Sequence, residues 1–296
     1  MFADDTKVFR QITSHEDASN LQNDLRKLEE WSDTWLLKFN AEKCHVLTLG
    51  KFEDIKHAHK YTICKNELEH VADEKDLGVI IDDELKFEEH IMRKVRVANG
   101  IVGQIRRSFS FLDPETFRRI FVAFVRPHLE YCQAVWSPHL LKNIDILENV
   151  QIRATKLVDG LSDLEYPERL KRINLPTLLY RRRRGDMIEV YKHFNSYDSS
   201  TLSSTFNPRD RPSRQHKFQL YTPISTDGVR GIQANSFYHR VVPVWNNLPK
   251  NVAEAETIDG FKIALDNLWQ NDPCKFDHLH GRGTDKMNNN GNTSNS

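Results

Sequence analysis

Phe2-Ala3-Asp4-Asp5-Thr6 sets two carboxylates side by side behind an aromatic and a small residue, five positions into a chain of 296. From Phe2 to Phe9 apolar and β-favouring residues surround the pair, which predicts a tight turn running into a strand. Neighbouring residues of a strand face opposite ways, so in such a turn one aspartate can reach a metal while the other supports it. Mg²⁺ takes oxygen ligands, usually one or two carboxylates completed by phosphate and water. Two such ions roughly 3.5–4 Å apart can activate an attacking hydroxyl and steady a departing pyrophosphate. Alone, an Asp-Asp pair is common in loops, so its meaning rests on the sequence around it.

Ser14-His15-Glu16-Asp17 predicts a helix start, with Ser14 as cap and acids in the first turn. Leu21, Leu25, Leu28, Trp31 and Trp35 follow at three- and four-residue steps and predict one buried stripe on a helix of about six turns. Three short strands are expected next: His45 to Leu49, Tyr61 to Cys64 with a turn at Lys65-Asn66, and Asp76 to Ile81. This first part reads as α+β with small antiparallel elements.

From Leu85 the period becomes helical. Phe87, Ile91, Val95, Ala98, Val102 and Ile105 mark one helix. Asp113-Pro114 opens a second, lined by Phe117, Ile120, Phe121 and Phe124 and ended or kinked at Pro127. A third runs from Ile144 to Val158 and stops at Gly160, and Pro167 to Ile173 and Leu178 to Phe194 predict two more. Ser196 to Ser213 reads as a linker, Phe237 to Leu248 and Phe261 to Trp269 as packed segments, and the stretch from Asn271 as a disordered tail.

The zero net charge hides a gradient. Residues 1–85 hold 11 basic against 19 acidic residues, and residues 86–195 hold 20 against 13. An acidic end followed by a basic helical middle suits a nucleic-acid enzyme, and equally a helical domain with its cations on a solvated face. Cys44, Cys64, Cys132 and Cys274 show no paired spacing, which argues against a disulfide framework and fits a reducing compartment. No apolar run approaches the ~20 residues of a bilayer span, and no signal-peptide layout opens the chain. The expectation is a soluble intracellular protein, nuclear or cytoplasmic, without a membrane partner. Cys274, His278 and His280 lie close together, but without a cysteine pair or a fourth ligand they make a poor zinc set. No nucleophile–base arrangement for a hydrolase is visible.

Several segments, taken in order, resemble reverse transcriptases of LINE-type (non-LTR, jockey-like) retrotransposons. They are Phe2-Ala3-Asp4-Asp5-Thr6, Trp35-Leu36-Leu37-Lys38-Phe39-Asn40 with Lys43-Cys44, and Lys75-Asp76-Leu77-Gly78-Val79-Ile80-Ile81-Asp82 with Leu85-Lys86-Phe87. Phe124-Val125-Arg126-Pro127-His128-Leu129-Glu130-Tyr131, Val135-Trp136-Ser137-Pro138 and Val244-Trp245-Asn246-Asn247-Leu248-Pro249 extend the resemblance to about residue 270.

The resemblance implies a partial polymerase palm over 1–84 and a helical thumb over 85–160. A basic helical extension (161–195), a packed C-terminal region (196–270) and the tail (271–296) would follow. It makes Asp4 a metal ligand, Asp5 its assistant, and Lys43 a candidate for acting on the incoming dNTP or its pyrophosphate, with surface lysine as the alternative. Leu77, Gly78 and Val79 resemble the hairpin that grips a primer end, where glycine lets the nucleic-acid backbone approach, with an ordinary hairpin glycine as the alternative. Arg93, Lys94, Arg96, Arg106, Arg107, Arg118 and Arg119 become phosphate contacts to an RNA template and DNA primer duplex, some of them remaining plain surface. Arg181, Arg182, Arg183 and Arg184 form the densest basic run, suited to nucleic acid, to nuclear import or to a solvated helix face. Mg²⁺ or Mn²⁺ is implied for the complete enzyme. The family's fingers and its palm strand with a further metal-binding Asp have no counterpart in these residues, so the chain alone is expected not to polymerise. Two other readings stay open: a non-catalytic nucleic-acid-binding descendant, and an unrelated helical interaction protein.

Overall fold

The computed structural model describes residues 5–50, 59–195, 216–221 and 235–280. The chain forms two compact units, residues 1–86 and 87–296. The first mixes small strands with a helix and the second is helical, an α+β composition dominated by helix.

In the first unit α1 spans His15–Trp35. Its start is a capping box: Asp17 N–H donates to Ser14 Oγ at 3.2 Å, and Ser14 N–H donates back to the Asp17 carboxylate at 2.9 Å. Hydrogen bonds from Thr13 and Ser14 hold the Asp17 carboxyl down at about 2. The apolar packing of α1 lies in its N-terminal half, while Glu29 further along accepts from Cys64 N–H. Ala18, with Leu21 and Leu25 beside it, packs against Tyr61, Ile63 and Leu68. Gln22 exchanges two hydrogen bonds with the Thr62 backbone. Leu28 is only half-buried, and Trp31, Trp35, Leu36 and Leu37 are exposed, so the expected continuous buried stripe stops short. The elements beside α1 reach as far as Glu29 and leave Trp31 and Trp35 uncovered.

The strands are β1 (His45–Leu47), β2 (Thr62–Ile63), β3 (Asn66–Glu67), β4 (Glu69–Val71), β5 (Asp73–Asp76) and β6 (Val79–Asp82). β1 pairs with β4 in parallel, a correction to the all-antiparallel expectation. The intervening chain carries the β2–β3 hairpin, which supplies the crossover that a parallel pair requires. That hairpin turns at Cys64-Lys65, both at positive φ, one residue earlier than expected. β5 and β6 form a second hairpin around Leu77 (φ 44°) and Gly78 (φ 87°). Residues 6–12 form no strand and Phe9 is 92% exposed, contrary to the strand expected up to Phe9. A strand needs a neighbouring ladder, and among the described residues none pairs there.

The second unit opens with α2 (Glu88–Ser108), which buries Ile91, Val95, Ala98 and Ile105 as its period requires. α3 (Pro114–Ile120) begins at Asp113, whose carboxylate accepts from Glu115 and Thr116 N–H, each at 3.0 Å. The chain then widens into a π turn (Phe121–Val125) before α4 (Arg126–Glu130). Pro127 explains the widening. It has no N–H for the Ala123 carbonyl, and its ring would strike that carbonyl in a regular α-turn. Arg126 N–H reaches back to Phe121 O instead. Phe117, Phe121, Val125 and Leu129 stay fully buried through this passage, so Pro127 reshapes the helix without stopping it.

α5 (Gln133–Trp136), α6 (Leu141–Ala154), α7 (Tyr166–Ile173) and α8 (Leu178–Phe194) follow, then α9 (Phe237–Asn246), α10 (Lys250–Ala253) and α11 (Ile258–Leu268). α8 is the centre of the unit. Met187, Val190 and Tyr191 join Trp245, Val252, Phe261 and Leu265 in one buried cluster. Tyr191 and Phe261 stack at 4.3 Å. The expected tail from 271 is corrected in its first part. Pro273–Lys275 makes a 3₁₀ turn, Cys274 and His278 are buried, and Thr177 Oγ1 donates to Cys274 O at 2.7 Å. Low-complexity composition begins further on than the packing ends. The linker expected at 196–213 lies outside the described residues.

Candidate nucleic-acid interface

Of the acidic pair, Asp4 lies outside the described residues and Asp5 is exposed. Among the described residues no three His, Cys, Asp or Glu side chains converge to hold a metal. The segment after Asp5 is tied down, because Lys7 pairs with Asp76 at the end of β5, next to the hairpin tip. Lys43 ends a 3₁₀ turn and is exposed. Two residues on, His45 Nδ1 meets Glu74 of β5 at 2.6 Å. The Asp5 segment, the start of β1 and the β5–β6 hairpin are thus neighbours within one small unit. At the tip Leu77 is exposed, Gly78 takes a positive φ and Val79 is buried, so Val79 anchors a turn that only Leu77 and Gly78 present.

The cations fall into two groups. Arg93, Arg96, Arg106 and Arg107 on α2, and Arg118 and Arg119 on α3, are exposed. Lys94 is half-buried, with its ammonium 5.6 Å from the Tyr131 ring centre. Arg96 lies 3.6 Å from Glu89, and Arg119 pairs with Glu115 one turn away. From Ile91 to Leu112 there are five Lys or Arg and no Asp or Glu.

Arg181–Arg184 do not make an exposed basic patch. Arg181 is bidentate to Glu130, and Arg184 is bidentate to Asp266 at 2.6 and 2.8 Å. Arg183 sits 3.4 Å from Asp272 and over the Trp269 ring. Arg182 is 3% exposed, and burial pulls its pKa down against the charges of Glu148 and Asp186. A phosphate or an import receptor would have to break these pairs to engage the run. Cys274, His278 and His280 do not converge either: burial pushes the Cys274 thiol up to about 11, His278 packs on Tyr166, and His280 pairs with Asp277.

Sequence reading missed an apolar groove where α2 meets the π turn. It measures about 350 Å³ and is lined by Ile101, Gln104, Ser108, Phe109, Phe124 and His128, with no acid in its walls. Phe109 and Phe124 are exposed. Phe124, expected to line its helix with Phe117, Ile120 and Phe121, is instead 62% exposed, while Phe109 and Phe111 follow the end of α2.

Comparison with curated proteins gives two matches. The chain is 26% identical over 163 residues to the RNA-directed DNA polymerase from mobile element jockey of Drosophila funebris, a match covering 54% of this chain and 18% of that polymerase. It is 24% identical over 193 residues to an uncharacterised protein of Caenorhabditis elegans, covering 60% of this chain and 90% of that protein. No family model and no solved structure matches. The chain carries a region similar to part of a reverse transcriptase. No helix among the described residues is long and apolar enough to cross a membrane.

Proposed function

We propose that this chain descends from the reverse transcriptase of a non-LTR retrotransposon and that its helical unit binds nucleic acid. The carrying observation is the jockey polymerase match over half the chain. It is supported by the acid-free cationic stretch of α2, exposed on the unit that the resemblance equates with a thumb. The partner is a template–primer duplex of RNA and DNA, held through phosphates and shape rather than through sequence. In the complete polymerase Asp4, Asp5 and Lys43 belong to the nucleotidyl-transfer site with Mg²⁺ or Mn²⁺ and dNTP, and Leu77-Gly78-Val79 to the primer grip.

Fluorescence anisotropy with a labelled RNA–DNA hybrid tests the binding. Affinity should fall steeply between 50 and 200 mM salt. Changing Arg93, Arg106 or Arg118 to Ala should each lower the salt slope by about 1 if that residue meets a phosphate. No binding at 50 mM salt would overturn the proposal.

The uncharacterised nematode relative is matched over nine-tenths of its own length, so the shared region makes up most of another protein; the second reading is a nucleic-acid-binding protein without polymerase activity. Primer extension on an RNA template with Mg²⁺ tests for polymerase activity, which neither reading expects of this chain alone. No incorporation by the purified 296-residue chain, with hybrid binding retained, is the expected result. Incorporation that disappears in Asp4→Ala would restore the polymerase reading.

A further inference from the structure

Glu130 of α4 lies between two arginines, with a third close by. Arg181 of α8 holds both of its carboxylate oxygens, with Nη2 on Oε2 at 2.8 Å. Arg126, one turn earlier on α4, has its Nε 3.7 Å from the same Oε2, too far for a hydrogen bond. Among the described residues Arg126 pairs with no other acid. Its side chain is 21% exposed, and those of Glu130 and Arg181 are 19% and 24%, so solvent screens these charges poorly. Burial and then the Arg181 charge lower the Arg126 pKa, Glu130 opposes them, and Arg118 of α3 adds to the fall. Arg118 is exposed and pairs with no acid among the described residues. Eight residues separate it from Arg126, a step that in a regular α-helix would set them about 80° apart. The π turn between them takes up one extra residue and brings both onto one face, about two turns apart.

We propose that Arg118 and Arg126 bind a phosphate group beside the Arg181–Glu130 pair. A purely structural pair balances its charges. Here one carboxylate serves three guanidiniums, and Arg181 has already taken both of its oxygens. Arg126 is left with its charge largely out of water and no hydrogen-bonded acceptor, which is costly. A phosphate offers several oxygens to the planar fork of a guanidinium, and its charge offsets the surplus. Arg181 stays on Glu130 throughout, so no ion pair has to break. A nucleic-acid strand and a free nucleotide or phosphate ion carry the same chemistry, so the site does not depend on the nucleic-acid reading.

The test uses the full chain and thermal melts in rising sodium phosphate, with sodium chloride keeping ionic strength constant. Tm should rise with phosphate and level off. Arg126→Gln and Arg118→Gln should each move the midpoint of that rise to about ten-fold more phosphate, the loss of one charge-assisted hydrogen bond. In chloride alone Arg126→Gln should melt no lower than the parent, because it removes a surplus charge. A lower Tm in chloride with an unchanged phosphate response would make Arg126 a structural partner of Glu130 and overturn the site. An equal rise in sodium acetate would give the site to a carboxylate, which also overturns it. Anisotropy with the labelled RNA–DNA hybrid identifies the source. A salt slope lower by about 1 in Arg126→Gln assigns the phosphate to a strand. An unchanged slope beside the phosphate rise assigns it to a free ion or nucleotide, and either supports the site. No phosphate rise together with an unchanged slope overturns it. A parent chain that responds to phosphate and binds no hybrid would remove the nucleic-acid reading and leave this site standing.

Discussion

Glu148 is fully buried on α6 and shows how tightly single side chains set the helical unit. Tyr166 Oη donates to it at 2.6 Å and Leu178 N–H at 3.1 Å, and its charge faces the buried Arg182. Burial raises the Glu148 pKa, and the Tyr166 bond opposes that rise. Glu148→Ala would strip the buried Tyr166 hydroxyl and Leu178 N–H of their acceptor and remove one of the charges facing buried Arg182, so urea denaturation should show a loss of about 3–5 kcal/mol. His90 supplies a pH signature. It is buried beside Trp136, and burial, with Lys94 adding to it, lowers its pKa to about 4. The unfolded chain therefore binds this proton at higher pH than the folded chain. Stability should be whole above the ordinary histidine value of about 6.5 and fall as pH drops toward 4, by roughly 1–3 kcal/mol from this group. Thermal melts at pH 4.5 and 7.5 would show a smaller difference in His90→Gln; an equal difference would assign the effect elsewhere. At this scale the sequence was a poor guide to Arg181–Arg184. Four consecutive arginines look like a surface run, and only the fold shows that Glu130, Asp272 and Asp266, distant in sequence, meet three of them. Phe124 was read onto the apolar lining of its helix, and the π turn exposes it, because the widened turn breaks the period that placed it there.

At the scale of elements, local signals were legible where a single residue dictates backbone geometry. Ser14 and Asp113 cap helices, and Gly78 takes the positive φ that a two-residue hairpin demands. Gly78→Ala should therefore cost the β5–β6 hairpin about 1 kcal/mol, read as faster hydrogen exchange at Lys75 and Ile80 with little change in α2. Equal acceleration throughout the chain would mean that the hairpin does not open by itself. Partner-dependent features were not legible. Trp31 and Trp35 sit at the right steps for a stripe, but their burial depends on what the neighbouring elements cover. The parallel β1–β4 pair depends on a hairpin inserted between its strands. Pro127 was visible as a perturbation. Its consequence, a π turn that carries Phe124 outward while Phe121 and Val125 stay buried, follows only from packing on both sides.

For the whole molecule, the helical unit is closed by its last described segment. Residues 271–280 return to the start of α8: Lys275 O accepts from Thr177 N–H at 2.9 Å, Cys274 O accepts from Thr177 Oγ1, and Asp272 meets Arg183. Composition hid this closure, because Pro, Cys, Asp and His among polar residues carry no period to read. Ending the chain after Gln270 would remove the Asp272 partner of Arg183, uncover the Thr177 backbone and side chain, and expose the Tyr166 face that His278 covers at 5.7 Å. Two lost backbone or side-chain hydrogen bonds and a stripped ring contact amount to about 2–4 kcal/mol. For a unit of this size that is a fall in Tm of roughly 4–16 °C. The change should be confined to the helical unit, so hydrogen exchange in α8 should quicken while the Thr62–Gln22 bonds of the first unit keep their protection. Unchanged α8 protection in the shortened chain would show that the segment only rests on the unit and does not hold it together.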